Sequence, residues 1–296
     1  MIKNKKSIPY YFIIPALLIT VLVHYFPIFW GIFLSFKKID MKNFSKFMNA
    51  PLTISNFIDI FKQETYLLAI RNILLFVAIT IPVTYIISLF IALYINRKFA
   101  FKSIIIWIIL LPYITPDTVV YSMFRYMFTT YTGIVNQMLL VLRIIDKPLF
   151  WLKGASQIWP IIIATIWKST SFGTLILLAG LENIPDYIYE ASRIDGANIW
   201  YRFKYITWPL LKPVSYTLLL VSIIWNFYAF NQFYVLLGPF GPDHYAIVPT
   251  VLIRQTAFFG FNIGLASAMS TLLLIVVLIF TTIYFKVQQK QEAEIW

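Results

Sequence analysis

The chain has 296 residues, of which 60% are hydrophobic and 12% charged, with a formal net charge of +12. Its 27 Phe and 19 Tyr, at a mean hydropathy of +0.79, exceed what a soluble core can bury, and its zero cysteines exclude disulfides, thiol catalysis and Cys-based metal sites. No basic cluster is interleaved with aromatics on a polar domain, so the positive charge points to anionic lipid headgroups and away from nucleic acid.

Six apolar runs, at about 9–36, 70–95, 103–129, 156–181, 213–237 and 264–286, reach the roughly 20 residues a helix needs to cross a bilayer. Stretches 8–36, 213–242 and 255–285 carry no Asp, Glu, Lys or Arg. The spacing predicts an all-α integral membrane protein, a single transmembrane domain over 1–296 with no soluble second domain. The first run follows Lys3, Lys5 and Lys6 but is much longer than the roughly 7–15 apolar residues of a signal peptide, so it reads as a membrane helix. Lys and Arg lean toward both termini being inside, although Lys37, Lys38, Lys42, Lys46 and Lys62 in the first outer loop weaken the contrast. In that loop Ser55 is expected to N-cap a short interfacial helix, with Phe57, Ile60 and Phe61 on one face.

Aromatic belts account for Tyr25, Trp30, Trp107, Trp151, Trp159 and Trp208 near span ends. Prolines 15, 27, 82, 112, 116 and 160 are candidate kinks. Asp117 and Arg125 are ionisable residues near membrane depth, eight residues apart and so not directly bonded along one helix. His24 and His244 stand apart from each other and form no ligand set, and Gly260 with Gly264 reads as a helix-packing pair at the mouth of the last span.

The composition of segment 182–212 would permit a plain connection between spans, but its length argues against one. Pro185 and Asp186 suit a first helical turn, with Ile184, Ile188, Ala191 and Ile194 at helical spacing. Gly196 is the expected stop. Asn198 is the expected cap of a second helix carrying Ile199, Arg202, Phe203 and Ile206, which Pro209 ends or kinks. No glycine sits in a G-x-x-x-x-G-K-[ST] pattern, so the chain has no phosphate loop of its own and needs no cofactor.

Glu190-Ala191-Ser192, three residues, Gly196, nine residues, then Ile206-Thr207-Trp208-Pro209 resembles the E-A-A…G…I-x-L-P loop of ABC importer permeases, with Ser192 for the second Ala and Trp208 for Leu. "LLPYITPDTVVYSMFRYMF" with Gly133 and Asn136, "IWKSTSFGTLILLAGLENIP", "GPFGP" and "GLASAMSTLLL" extend the resemblance over most of the chain, to the carbohydrate type of the family. These are the maltose, glycerol-phosphate, lactose and multiple-sugar permeases, of the first-permease kind. The resemblance implies six spans in a prokaryotic inner membrane, both ends cytoplasmic, and a cytoplasmic helix–turn–helix coupling loop. It implies four kinds of partner: a second homologous permease, two ABC ATPase subunits, an extracytoplasmic solute-binding protein and a carbohydrate substrate. ATPase coupling would fall on Glu190, Ala191, Ser192, Asp195, Gly196, Ala197, Ile206 and Pro209. The substrate path would pass Thr165, Lys168, Ser169, Phe172, Ser222, Trp225 and Asn226. Tyr228, Asn231 and Gln232 continue the polar and aromatic run of the fifth span. Lys168 departs from the family there, and is expected to favour an acidic group on the substrate or to reach the headgroups.

An ion-coupled secondary transporter is the rival class, but it would have only Asp117 as an intramembrane acid and would leave 189–209 without a purpose. A membrane enzyme would need converging acids, histidines or metal ligands, which this sequence does not supply.

Overall fold

A chain surrounded by hydrocarbon must pair its own backbone groups, and this one does so almost wholly by helix. The computed structural model describes residues 8–40, 48–97, 99–238 and 245–293. Lys3, Lys5, Lys6, Lys42, Lys46, His244 and the part of "GPFGP" beyond Gly238 lie outside them. In chain order the elements are α1 (Ile8–Thr20), a π turn (Val21–Tyr25), α2 (Phe26–Ser35), α3 (Ser55–Lys62), α4 (Glu64–Ile95), α5 (Lys102–Ile114), α6 (Asp117–Met127) and α7 (Ile134–Val141). There follow α8 (Ile158–Glu182), α9 (Asp186–Ile194), α10 (Ile199–Arg202), a π turn (Phe203–Thr207), α11 (Trp208–Phe227), α12 (Asn231–Leu237), α13 (Pro249–Arg254), a π turn (Gln255–Phe259) and α14 (Ile263–Ala293).

Five stretches are long and apolar enough to cross a bilayer: Phe12–Ser35, Glu64–Ile95, Gly154–Glu182, Ile199–Phe227 and Ile263–Lys286. The third expected span is not one rod. α5 and α6 meet at 90° across Thr115-Pro116, and they count as a sixth span only as a bent pair. Pro116 removes a backbone donor and forces Thr115 into an extended conformation, ψ 130°. The fifth expected span, 213–237, is also divided. α11 stops at Phe227 and α12 starts afresh at Asn231.

Pro209 does not end its helix, because the helix runs on from Ile199 to Phe227. Just upstream, Trp208 N–H donates to Phe203 O in a π turn. Pro27 has the same setting, with Phe26 N–H donating to Val21 O. A π turn leaves one carbonyl over, and proline lacks one N–H, so the two defects are absorbed at the same place.

Contacts gather the chain into two units. One runs up to Leu67 and includes Leu252–Val276. Here Asn56, nearly fully buried, donates from Nδ2 to Ser35 O and Lys37 O, both at 2.9 Å. Lys37 is buried as well, and its Nζ donates to Met48 O (3.1 Å) and Ala50 O (2.9 Å). Gly264 packs against α3 at Asn56 and, more closely still, against the backbone of 37–39. Its N–H donates to Ile39 O at 2.9 Å, and a Cβ there would overlap Lys37 O. Ser55 is the first residue of α3 and not its cap. Thr53 Oγ1 takes that part, accepting from Ser55 N–H at 3.0 Å. Ile60 is buried on α3, whereas Phe61 is exposed and meets Tyr66 edge-on.

The other unit holds Leu68–Val251 and the chain from Val277 on. Its core joins Ala92 and Ile95 of α4, Leu177, Leu178 and Leu181 of α8, and Leu211 and Leu218 of α11. Small residues let α8 approach both neighbours: a Cβ on Gly173 would overlap Ser88 Oγ, and one on Gly180 would lie 2.9 Å from Leu211. Ser88 Oγ donates to Thr170 O at 3.1 Å across the α4–α8 contact. Lys102 and Glu182 form an ion pair at 2.7 Å at the other end of α8.

Candidate substrate cavity and coupling elbow

Thr165, Lys168, Ser169 and Phe172 fall at helical spacing on one face of α8, and Ser222, Trp225 and Asn226 do so on α11. The tight approach of α8 to α4 and α11 turns both faces into a cavity of about 550 Å³ within the second unit. All seven of the residues expected along the substrate path line it, as do Tyr228, Asn231 and Gln232. So do Thr84, Tyr85 and Ser88 of α4, Tyr113 of α5, and Asp117 and Tyr121 of α6, whose place at the cavity the sequence did not disclose. Only the bend at Thr115-Pro116 brings Tyr113 and Asp117 to one wall.

One wall is aromatic. Tyr113 stacks on Phe172 with ring centroids 5.5 Å apart, and Phe172 meets Trp225 at 5.0 Å. Trp225 is half exposed, and its ring is open to a ligand face. Polar groups line the same cavity. Ser222 Oγ donates to Leu218 O (2.8 Å), and Asn226 Nδ2 donates to Ser222 O (2.8 Å). Asn226 Oδ1 and Thr84 Oγ1 are buried and make no hydrogen bond among the described residues. Buried amides and hydroxyls without partners are costly, so they mark places for a ligand or ordered water.

Lys168 lines the cavity with its ammonium turned to a neighbouring acid and two carbonyls. Its Nζ lies 3.1 Å from Asp117 Oδ1 and donates to Thr115 O at 2.6 Å and Pro112 O at 3.3 Å. It therefore holds the last carbonyls of α5 and the first carboxylate of α6, and clamps the 90° bend. Arg125, the other charge noted on α6, sits against Gly238, where a Cβ would overlap the guanidinium.

The elbow Pro185–Pro209 is built much as its sequence indicates. α9 ends in a Schellman turn: Gly196 N–H donates to Arg193 O (3.1 Å) and Ala197 N–H to Ser192 O (2.9 Å), with Gly196 at φ +78°. Asn198 Oδ1 accepts from Tyr201 N–H at 2.9 Å and caps α10. Ser192 is buried and donates to Tyr189 O, and the Tyr189 and Thr207 hydroxyls meet at 3.0 Å, tying α9 to the following helix. Glu190, Ala191, Asp195 and Gly196 face outward, Ala197, Ile206 and Pro209 are half-buried, and Glu190 makes no ion pair among the described residues. The apolar face is narrower than helical spacing implies. Ile184 is buried, whereas Ala191 and Ile199 are exposed and Ile194 is 88% exposed.

Residues 84–293 match the family described as the inner membrane component of binding-protein-dependent transport systems. The trehalose/maltose transport system permease protein MalF of Thermococcus litoralis is 37% identical over 213 residues, 71% of this chain and 70% of that protein. A probable ABC transporter permease protein of Brucella suis is 29% identical over 98% of this chain and 99% of its own length. The sn-glycerol-3-phosphate transport system permease protein UgpA of Yersinia pestis is 27% identical over 96% and 95%. Among solved structures, a bacterial ABC transporter involved in the import of the acidic polysaccharide alginate superposes with a TM-score of 0.84 at 20% identity, covering 97% of this chain and 96% of that one. A family match over more than two thirds of the chain, with relatives aligned nearly end to end, shows what kind of protein this fold serves: the chain belongs to the binding-protein-dependent transport system inner membrane components, the permeases of ABC importers.

Proposed function

We propose that this permease carries a carbohydrate. It would form half of a pathway whose other half is a second homologous permease, with the whole of 1–296 acting as one transmembrane domain. The observation that carries this reading is the cavity. An aromatic row from Tyr113 to Trp225 shares it with amides and hydroxyls of unused hydrogen-bonding capacity, and sugars present apolar ring faces and many hydroxyls. Carbohydrates and their relatives are also named as cargo for the relatives above: trehalose and maltose, glycerol 3-phosphate, alginate.

The energy enters through the elbow. In this reading one of the importer's two ABC ATPase subunits docks on Glu190, Ala191, Ser192, Asp195, Gly196 and Ala197, with Ile206 and Pro209 leading the motion into α11. The exposed Ile194 and Ile199 supply apolar contact, and the Tyr189–Thr207 bond makes the elbow move as one piece. That places the elbow and both termini in the cytoplasm and an extracytoplasmic solute-binding protein on the other side. Ion coupling gains no support. The single acid lining the cavity among the described residues, Asp117, is already held by Lys168.

Copurification of the importer followed by an ATPase assay tests the reading. A neutral or acidic carbohydrate, presented with the binding protein, should stimulate ATP hydrolysis. An importer stimulated by no carbohydrate would refute the cargo class, and a permease that brings down no ATPase would refute the coupling.

A further inference from the structure

We infer that the cavity selects uncharged carbohydrate over acidic carbohydrate, with Asp117 as an acceptor for sugar hydroxyls and Lys168 as the residue that positions it. The inference rests on the carbohydrate reading and refines it.

Asp117 and Lys168 are the only charged residues that line the cavity among the described residues. A lysine ammonium has three N–H bonds. Lys168 has three acceptors in reach: Asp117 Oδ1 at 3.1 Å, Thr115 O at 2.6 Å and Pro112 O at 3.3 Å. Two of its donors are hydrogen-bonded to carbonyls, its charge is paired with Asp117, and its side chain is only 15% exposed. To recruit this cation, an anionic ligand would have to strip it from two buried carbonyls and from its counter-ion. The carbonyls close α5, and without Lys168 the bend at Thr115-Pro116 would lose its clamp.

The carboxylate is in the opposite condition. Asp117 is 40% exposed, and its Oδ2 has only a long contact, 3.4 Å, from Asn231 Nδ2. A carboxylate has room for about four hydrogen bonds. Asp117 therefore presents unused acceptor capacity to the cavity, beside Asn231. Paired sugar hydroxyls suit that oxygen. A phosphate or a uronate would meet the exposed anion first and find the cation spent. The pair cancels in net charge, so the cavity offers no counter-charge to offset desolvation of an anion.

The test is equilibrium binding to the purified, reconstituted importer without its binding protein. The probes are neutral sugars (glucose, maltose, lactose), matched uronates and glycerol 3-phosphate. The expected result is that whichever neutral sugar binds does so at least tenfold more tightly than its uronate. Asp117→Asn keeps the shape, removes the anion and frees the charge of Lys168. It should weaken the neutral sugar and shrink the neutral-to-acidic ratio severalfold. A uronate or glycerol 3-phosphate binding the unaltered importer as tightly as the neutral sugar would overturn the inference, and that measurement suffices if the variant fails to assemble. A ratio unchanged in an assembled Asp117→Asn importer would overturn it too. Binding of acidic carbohydrate alone would leave the carbohydrate reading standing and sink only this inference. Binding of no carbohydrate of either kind would sink both.

Discussion

Asn136 uses every hydrogen-bonding position its amide has. Nδ2 donates to Thr130 O (2.8 Å) and Leu149 O (2.9 Å), while Oδ1 accepts from Leu149 N–H (3.2 Å) and Trp151 Nε1 (2.8 Å). It is fully buried and closes the segment between α6 and α8 on itself. Asn136→Ala should leave several buried groups unpaired and destabilise that segment by about 3 kcal/mol. A lowered unfolding midpoint of the detergent-solubilised protein is the measurement, with unchanged secondary structure. Trp151, which composition assigns to an aromatic belt, is therefore committed to Asn136 and to an edge-on contact with Phe128 at 5.6 Å. Gly196 is a second residue with a single physical reason for its identity. Nothing lies within 4 Å of where its Cβ would be, so only φ +78° demands glycine. Gly196→Ala should cost about 1–2 kcal/mol of local stability, read as faster amide exchange at the end of α9.

Among elements, the sequence reveals membrane spans more readily than their breaks. Apolar runs 103–129 and 213–237 look continuous because a broken helix and a straight one share the same hydrophobicity. What divides the first is Pro116, visible in the sequence, together with Lys168 clamping the bend from 53 residues away, which is not. In the other direction, Pro209 reads as a stop, but the π turn before it lets the helix run through. The glycines at 260 and 264 fit a helix-pair pattern, yet Gly264 is needed because α14 begins against the backbone of Lys37 and Ile39. Backbone cannot step aside as a side chain can. Gly264→Ala should therefore destabilise by about 1–3 kcal/mol, the range for forced overpacking, and by more than Gly260→Ala, where the nearest backbone atom, Thr256 O, is 3.0 Å from the new Cβ. Comparing the thermal unfolding of the two variants checks this.

For the whole molecule, the elbow and the cavity make a testable pair. Glu190→Ala removes an exposed carboxylate that has no ion-pair partner among the described residues, so folding and membrane insertion should be unaffected. If Glu190 pairs with a basic residue of an ATPase, its loss should weaken docking severely, by about 3–5 kcal/mol for a buried pair broken on one side. Gly196→Pro should have the same effect by distorting the turn. Uptake into proteoliposomes is the measurement, and normal uptake by both variants would refute the coupling role.

The sequence alone determined the number of apolar runs, the all-helical class, the elbow with its cap at Asn198 and its turn at Gly196, and the two helix faces that carry Thr165 to Phe172 and Ser222 to Asn226. These are legible because apolar length, helical period and capping are local, and each depends on residues within a few positions. It left orientation weakly marked, partly because Lys37 counts as a loop charge although it is buried against Met48 O and Ala50 O. Only the tertiary structure decided that the two faces share one cavity, that Asp117 joins them, and that Lys168 is already spent on Asp117, Thr115 O and Pro112 O. The physical reason is range. A side chain's charge is written in the sequence, but whether a ligand can use it depends on which distant carbonyls and carboxylates already accept its hydrogen bonds or balance its charge.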